Sequence, residues 1–337
     1  MTERAYGLLL PHFGAHASAE AIIEGARLAE RLGFDSLWVR DHIVFHPHGM
    51  EGTDRTHLEP LVVLSAVAAA TERIALGTGS LIPHRHPIHL AGALASLSYM
   101  ARRTVIAGFG LGSFDHEFAA IGLGDAERDE LLAEQIGILR RLWTGESTSH
   151  EGRYYRFSDV DIHPSPASPI PIWYCGNSAA AARRAAEYCD GFMPGRITLA
   201  TMDKRMRRLR RLATEAGRAV PTGAAIPLTS PARTSEEAIG KVPLGALLAD
   251  ANRHGRWEPP ASGRFERYED LEGALVAGTP EHIAEAAERY HAIGVEHLVF
   301  DLRFRFDEWL ECVALLGEEV LPLLRSGGAT HGPAVTA

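Results

Sequence analysis

The residues best suited to acid–base chemistry fall in groups. Asp41 and His42 directly follow an apolar run, and His46 lies four positions on. His116 and Glu117 are also adjacent, just beyond a glycine-rich stretch at 108–112. An imidazole changes charge near neutral pH, so His42, His46 and His116 are each suited to taking or giving a proton, and Glu117 adds a carboxylate for the same work. A carboxylate at Asp41 would orient the His42 ring. The alternative is a hydrogen-bonded histidine that only holds its loop.

His84-Arg85-His86 raises the question of a metal. Pro83 and Pro87 flank the pair and put it in a loop. A bridging lysine or a set of carboxylates would also be needed, so no metal is expected. Gly176-Asn177-Ser178 ends an apolar run and opens an alanine-rich helix that carries Arg183 and Arg184. Free amides at a helix start hold phosphate well. A plain cap by Asn177 or Ser178 is the alternative. Gly108-Phe109-Gly110-Leu111-Gly112 contains a G-x-G, but Ser113 stands where the dinucleotide fingerprint wants Gly or Ala. Small residues there would let backbone approach a ligand.

These groups need elements to position them. Short apolar runs predict strands at 6–10, 36–39, 74–78, 104–107, 171–174, 191–193, 224–228 and 295–301. Helix-period segments follow them, the first capped by Ser18 and ended by Gly33. The helix at 89–100 has almost no charge, which suits a core or a dimer face. The helix at 202–216 is basic. Eight strands, each followed by a helix, predict an α/β fold of the (β/α)8 TIM barrel type, with a doubly wound sheet as the alternative. Residues 1–325 form one domain on this reading. A hairpin at 151–157 and a proline-rich linker at 163–171 interrupt the repeat. Residues 231–278 form an insertion over the barrel mouth, with 254–263 either a lid or a disordered loop, and 326–337 read as a disordered tail.

A barrel's site lies at the C-terminal ends of its strands. Those ends carry His12 and Phe13; Arg40, Asp41, His42 and His46; Gly77 to Ser80, then His84 and His86; Gly108 to Glu117; and Cys175 to Ser178. His163, His282, His291 and His297 fall elsewhere and read as surface or packing residues.

The 337 residues carry 34 basic and 43 acidic side chains, a net charge of −9 that does not favour nucleic acid or an anionic membrane. Three cysteines, Cys175, Cys189 and Cys312, make no disulfide framework and fit a cytoplasmic protein. No apolar run approaches a membrane span.

In one order the chain carries Leu32-Gly-Phe-Asp-Ser-Leu-Trp-Val-Arg-Asp-His42, Thr71-Glu-Arg-Ile-Ala-Leu-Gly-Thr-Gly79, Arg85-His-Pro87, Glu117-Phe118, Leu142-Trp-Thr-Gly145, Gly152-Arg-Tyr-Tyr-Arg-Phe157, Pro171-Ile-Trp-Tyr-Cys-Gly-Asn-Ser178, Asp190-Gly-Phe192 and Gly278-Thr-Pro-Glu281. This ordered set resembles the bacterial luciferase-like monooxygenase superfamily over residues 6–325, and most of all its coenzyme F420-dependent oxidoreductases. The resemblance implies a luciferase-like barrel with insertions at the C-terminal rim and a flavin-type ring across the mouth. A bulge at Gly79-Ser80, often with a cis peptide, would back the ring. The implied cofactor-binding set is His42, Thr78, Gly79, Ser80, Gly110, Gly112, His116, Cys175, Gly176, Asn177, Ser178, Met193, Pro194 and Gly195. The implied catalytic set is His42, His46, His116 and Glu117, with Phe13 beside the substrate. Two residues depart from some F420 dehydrogenases: Ser113 replaces a proton-donating Glu, and His46 replaces a Trp. They predict a substrate other than the sugar phosphate some relatives oxidise.

The function expected is hydride transfer between F420 and a small organic substrate, by a homodimer. An FMN monooxygenase using reduced flavin and oxygen is the first alternative, and a non-catalytic flavin-binding barrel the second. Arg183, Arg184 or Arg196 near the phosphate loop would favour the longer anionic tail of the deazaflavin.

Overall fold

The apolar runs are short and buried on both faces, as strands of a parallel barrel must be. A computed structural model describes residues 4–47 and 50–327. Its strands are β1 (Ala5–Leu9), β2 (Ser36–Val39), β3 (Ala75–Thr78), β4 (Val105–Phe109), β5 (Thr148–Glu151), β6 (Arg156–Val160), β7 (Ile172–Tyr174), β8 (Gly191–Phe192), β9 (Thr222–Ala225), β10 (Leu228–Pro231), β11 (Leu275–Gly278) and β12 (His297–Phe300). Eight close into one parallel barrel in the order β1-β12-β9-β8-β7-β4-β3-β2, so β2 and β8 stand opposite each other across the mouth. The barrel reading holds, and the open sheet does not.

Helices α1 (Ala19–Leu32), α2 (Pro60–Ala70), α3 (Pro87–Ala101), α4 (Asp115–Ala120), α5 (Arg128–Leu142), α6 (Ala181–Tyr188), α7 (Leu199–Glu215), α8 (Ser235–Gly240), α9 (Leu244–His254), α10 (Pro280–Ala292), α11 (Trp309–Leu315) and α12 (Leu321–Gly327) complete the fold. Ser18 caps α1 through the Ala21 amide at 3.1 Å, and Gly33 ends it in the left-handed region at φ 87°. Trp38 and Trp173 fill the barrel with ring centroids 5.3 Å apart, and His297 packs edge-on to both. A Cβ on Gly77 would lie 2.5 Å from Trp38, and one on Gly191 2.4 Å from Trp173, so both glycines make room for the indoles. His297 is therefore barrel interior. Its Nε2 meets Ser36 Oγ at 2.7 Å.

Three expectations are corrected. The run 224–228 is not one strand, because Pro227 has no amide for the ladder. Strand β9 ends at Ala225, Leu228 still bridges Asp301 just beyond β12, and the same residue begins β10, which pairs in parallel with β11. The insertion is thus a built unit, with α8, α9 and its own buried cluster around Leu247, Phe265 and Leu271. Segment 254–263 is no loose loop: Trp257 packs edge-on to Phe265 at 5.8 Å, and the Glu258 amide donates to Thr201 Oγ1 at 2.8 Å. Ser326 belongs to α12, and the rest of the expected tail, 328–337, lies outside the described residues.

The uncharged helices α2 and α3 bury only one face. Val63, Leu64, Val67, Leu90 and Leu94 are buried, whereas Val62 is 68% and Met100 79% exposed. Among the described residues no helix is long and apolar enough to cross a membrane.

Candidate active site

Backbone shapes the floor of the mouth. The Gly79 amide donates to Val39 O at 2.7 Å, and the Leu81 amide to Gly108 O at 2.7 Å, so the chain bulges around Ser80. The Gly79–Ser80 peptide is cis. Thr78 is fully buried and bonds through Oγ1 to both Gly108 O (3.0 Å) and Gly108 N (2.9 Å), which fastens the bulge to β4. Its side chain lies beneath the mouth, and Gly79 and Ser80 are the half-exposed residues above it. A Cβ on Gly79 would lie 2.7 Å from Met193 Cε, and one on Gly110 2.5 Å from Ser80 Oγ. The bulge, β4 and the residues after β8 therefore line one floor. Met193 and Pro194 are buried there, whereas Gly112, Cys175 and Gly195 are half-exposed.

His42 stands at the centre of the polar network. Its Nδ1 lies 3.0 Å from Glu117 Oε2, and its Nε2 3.2 Å from an Arg40 nitrogen. A guanidinium only donates, so Nε2 carries the lone pair and Nδ1 donates to the carboxylate. Glu117 is fully buried, and its other oxygen accepts from the Ile43 (2.8 Å) and Val44 (3.2 Å) amides. Burial alone would raise its pKa, but the His42 hydrogen bond and charge and the two amides outweigh it and hold the carboxyl below its ordinary range.

Asp41 does not orient His42. Neighbours in extended chain point to opposite sides. Asp41 instead accepts from Arg85 and from the Ile82 amide at 3.0 Å, with His84 Nε2 at 3.4 Å. His86 caps α3 through the Ile88 amide. Among the described residues no three His, Cys, Asp or Glu side chains gather as a metal would require.

The His46 and His116 rings stack at 4.2 Å, and His116 Nε2 lies 2.9 Å from Val44 O. Burial first, then His116 and Arg55, lower the His46 pKa. Phe13 is only 3% exposed and lies under Arg40, with the guanidinium 4.3 Å from its ring centroid, so it backs the site rather than facing a substrate. His12 is fully buried between Leu10 O and the Arg40 backbone and is pushed down to about 4 by burial.

His57, Glu51 and Arg303 carry no sequence signal. His57 packs edge-on to His42 at 5.4 Å, with both ring nitrogens buried and unpartnered among the described residues. Burial, then His12 and Arg40, push it down to about 2. Arg40 pairs with Glu51 at 2.7 Å, Arg303 pairs with the same carboxylate, and Asp301 holds Arg303 from the other side.

A cleft of about 570 Å³ lies between the rim of the barrel and the insertion. Ser113, Phe114, Asn177 and Arg196 line it from the barrel, and Leu247, Arg253, Arg256 and Trp257 from the insertion. The Phe114 ring also lies 5.3 Å from that of His42 and joins the network to the cleft. Arg196, from the segment after β8, reaches Met50 Sδ at 3.1 Å, and both line the cleft with Asn177. Burial, then Arg303, push it down to about 10. Arg196, Arg253 and Arg256 form no ion pair among the described residues.

At 176–180 the chain suits an anion. α6 begins at Ala181 behind Ala180, so neither Asn177 nor Ser178 is its cap. The amides of Asn177, Ser178 and Ala179 donate to no backbone carbonyl of the described residues. A Cβ on Gly176 would lie 2.5 Å from the Tyr174 ring. Arg184 pairs with Asp129 and reaches Ser178 Oγ at 3.5 Å, whereas Arg183 pairs with Glu187 at 2.8 Å along its own helix. The open amides fit the phosphate of a nucleotide-like cofactor.

Comparison with known proteins agrees with this architecture. A family model described as luciferase-like monooxygenase matches residues 6–297. The F420-dependent glucose-6-phosphate dehydrogenase of Nakamurella multipartita is 31% identical, over 93% of this chain and 96% of that protein. The crystal structure of monooxygenase RslO1 from Streptomyces bottropensis matches with a TM-score of 0.74 at 26% identity, over 94% of this chain and 99% of that one. An F420-dependent secondary alcohol dehydrogenase in complex with an F420-acetone adduct shares the fold, with a TM-score of 0.78 at 20% identity, over 96% of this chain and 99% of that one. With its barrel, its rim insertion and a family match over most of its length, the chain belongs to the luciferase-like monooxygenase family.

Proposed function

We propose that this chain moves a hydride between coenzyme F420 and a small organic substrate that carries an anionic group, with His42 handling the accompanying proton. The chain is an oxidoreductase, and F420 is its cofactor. The observation that carries the reading is the Glu117–His42–Arg40 chain of hydrogen bonds at the mouth. When bound, the coenzyme supplies a ring carbon that gives or takes hydride. Gly79 and Ser80 back the ring. Met193, Pro194 and Gly195 flank it, and Gly110, Gly112 and Cys175 leave it room. Gly176, Asn177 and Ser178 hold the phosphate.

A substrate hydroxyl that replaces the Arg40 N–H at His42 Nε2 gives its proton there, and Glu117 stabilises the resulting imidazolium through Nδ1. In the other direction the same nitrogen returns the proton. Glu117 orients His42 rather than acting as the acid, because it is buried and held as the anion. His46 and His116 form the outer wall. Arg196, Arg253 and Arg256 give the cleft a cationic side that suits an anionic substrate. Ser113 and His46 set that substrate apart from the sugar phosphate named for the Nakamurella relative.

The 26% identity with the monooxygenase RslO1 favours a second reading, monooxygenation, for which this chain would use reduced FMN and oxygen. Titration of apo-protein with F420 and FMN, each oxidised and reduced, separates the two. Tight binding of the deazaflavin alone supports hydride transfer, and preference for reduced FMN overturns it. The chain acts as a cytoplasmic homodimer, a reading supported by its free cysteines and by the exposed apolar face of α2 and α3.

A further inference from the structure

Arg40 meets Glu51 with one terminal nitrogen and His42 with the other. Its Nη1 donates to Glu51 Oε1 at 2.7 Å, and its Nη2 lies 3.2 Å from His42 Nε2. Arg303 donates to the same Glu51 oxygen and is itself held by Asp301. The Arg40 guanidinium lies 4.3 Å from the Phe13 ring centroid and 5.2 Å from that of Phe45, and the residue is 8% exposed. It is anchored at one nitrogen and has little room to withdraw. This matters when a substrate hydroxyl takes the lone pair of His42 Nε2. Among the described residues that lone pair is the acceptor for Nη2. Losing it leaves a buried, charged donor unmet unless the substrate brings an acceptor of its own. The two nitrogens are 3.2 Å apart. That is near the spacing of two oxygens on adjacent carbons, which can make two parallel hydrogen bonds to them. Charge points the same way. With His42 neutral, Arg40, Arg303 and Arg196 balance Glu51, Asp301 and Glu117. A proton on His42 adds a positive charge, which an anionic oxygen beside it offsets. Burial, then Arg303, lower the pKa of Arg40, and the same two causes lead for Arg196, so both cations gain from an added anion.

We propose that the substrate is an α-hydroxy acid, oxidised to the α-oxo acid, with its hydroxyl on His42 Nε2 and a carboxylate oxygen on Arg40 Nη2. The inference rests on the reading of hydride transfer with F420 and of His42 as the base. The C–H bond at the hydroxyl carbon breaks, and its electron pair leaves with the hydrogen as hydride, so the acid is oxidised and the coenzyme reduced. The O–H proton passes to Nε2, and the C=O bond forms in its place. Glu51, shared with Arg303, holds Arg40 in register through the exchange. Arg40 is thus the residue that separates α-hydroxy acids from plain alcohols and from isomers whose hydroxyl lies one carbon further away.

The test is a substrate panel with the full-length protein loaded with F420: α-hydroxy acids of increasing chain length, their β-hydroxy isomers and the matching secondary alcohols. Loss of deazaflavin absorbance reads turnover. Calorimetry with oxamate, an unreactive isostere of an α-oxo acid, against acetate reads binding without turnover. The wild type should prefer the α-hydroxy acid to its isomer and to the alcohol by about a hundredfold in kcat/KM, and bind oxamate about tenfold tighter than acetate. Arg40→Lys keeps a charge for Glu51 but lacks the second arm of the fork. Arg40→Met leaves Glu51 paired with Arg303. Each variant should cut the preference for the acid to about tenfold or less and weaken oxamate to the level of acetate. Equal kcat/KM for the α- and β-hydroxy acids in the wild type, or a preference that both variants keep, overturns the proposal. So does oxamate binding no tighter than acetate when no acid is turned over. Failure of the underlying reading looks different: no deazaflavin binds, or His42→Ala oxidises the whole panel as the wild type does.

Discussion

On the β2 side of the mouth Arg40, His42 and Glu117 satisfy one another, with Glu51 and two backbone amides completing the set. On the insertion side Arg196, Arg253 and Arg256 face the cleft with no carboxylate partner among the described residues. The closed side holds its donors and acceptors before any ligand arrives, so little reorganisation is needed at the moment of reaction. The open side lacks a counter-charge, which a ligand must bring. Chemistry and recognition are thus divided between two parts of the rim, with Phe114 lining the cleft and lying 5.3 Å from His42.

The sharpest way to break this division is His42→Ala. Turnover should fall by about a hundred- to ten-thousandfold, the usual contribution of a general acid–base, and by far more than cofactor affinity changes. Steady-state kinetics with a parallel titration read the two effects, and unaltered turnover would remove His42 from the mechanism. On the open side, Arg196→Met should raise KM for an anionic substrate by about ten- to a hundredfold, as loss of a charge-assisted hydrogen bond does, with kcat much less affected. A drop confined to kcat would move Arg196 to the chemical wall.

Buried histidines of the closed side and of the barrel interior also predict acid sensitivity. His12 and His297 are held near 4 and His57 near 2, against 6.5 in the unfolded chain. Between those values the unfolded chain binds protons that the native state refuses, so stability is present above pH 6.5 and lost as the pH falls towards 4. By pH 5 the loss is about 2 kcal/mol for each histidine. Tm should therefore fall steeply below pH 6.5 and stay flat above it. A Tm unchanged down to pH 5 would mean that these rings are not kept neutral. The smallest effect on catalysis is expected at the far surface. Met100→Glu puts a charge on the apolar α2–α3 face and should shift the protein from dimer to monomer in sedimentation, with turnover changed by less than about threefold. A wild type that sediments as a monomer at working concentration would remove the dimer.

Much of the frame was legible because its signals are local. Ser18 and Gly33 mark α1, the period of short apolar runs marks the strands, and the strand ends mark the mouth. Pro227 was also visible, yet its effect was not, because a missing amide decides a strand's end only when a neighbouring ladder needs it. The acid–base residue His42 was legible from its place after β2. Its partner was not: Asp41 is adjacent in sequence but points away, and Glu117 arrives from 75 residues on.

The amino-acid sequence alone determined the barrel, its family and the list of residues at its rim, since pattern, caps and motifs act over a few neighbours. Tertiary structure decided which of those residues meet. Arg303 and Glu51 are 252 positions apart, and Trp257 lines the cleft while it packs against Phe265 of the insertion's own core. Closing the barrel brings distant strand ends within hydrogen-bond reach, and burial there decides which charges are paired and which are left for a ligand.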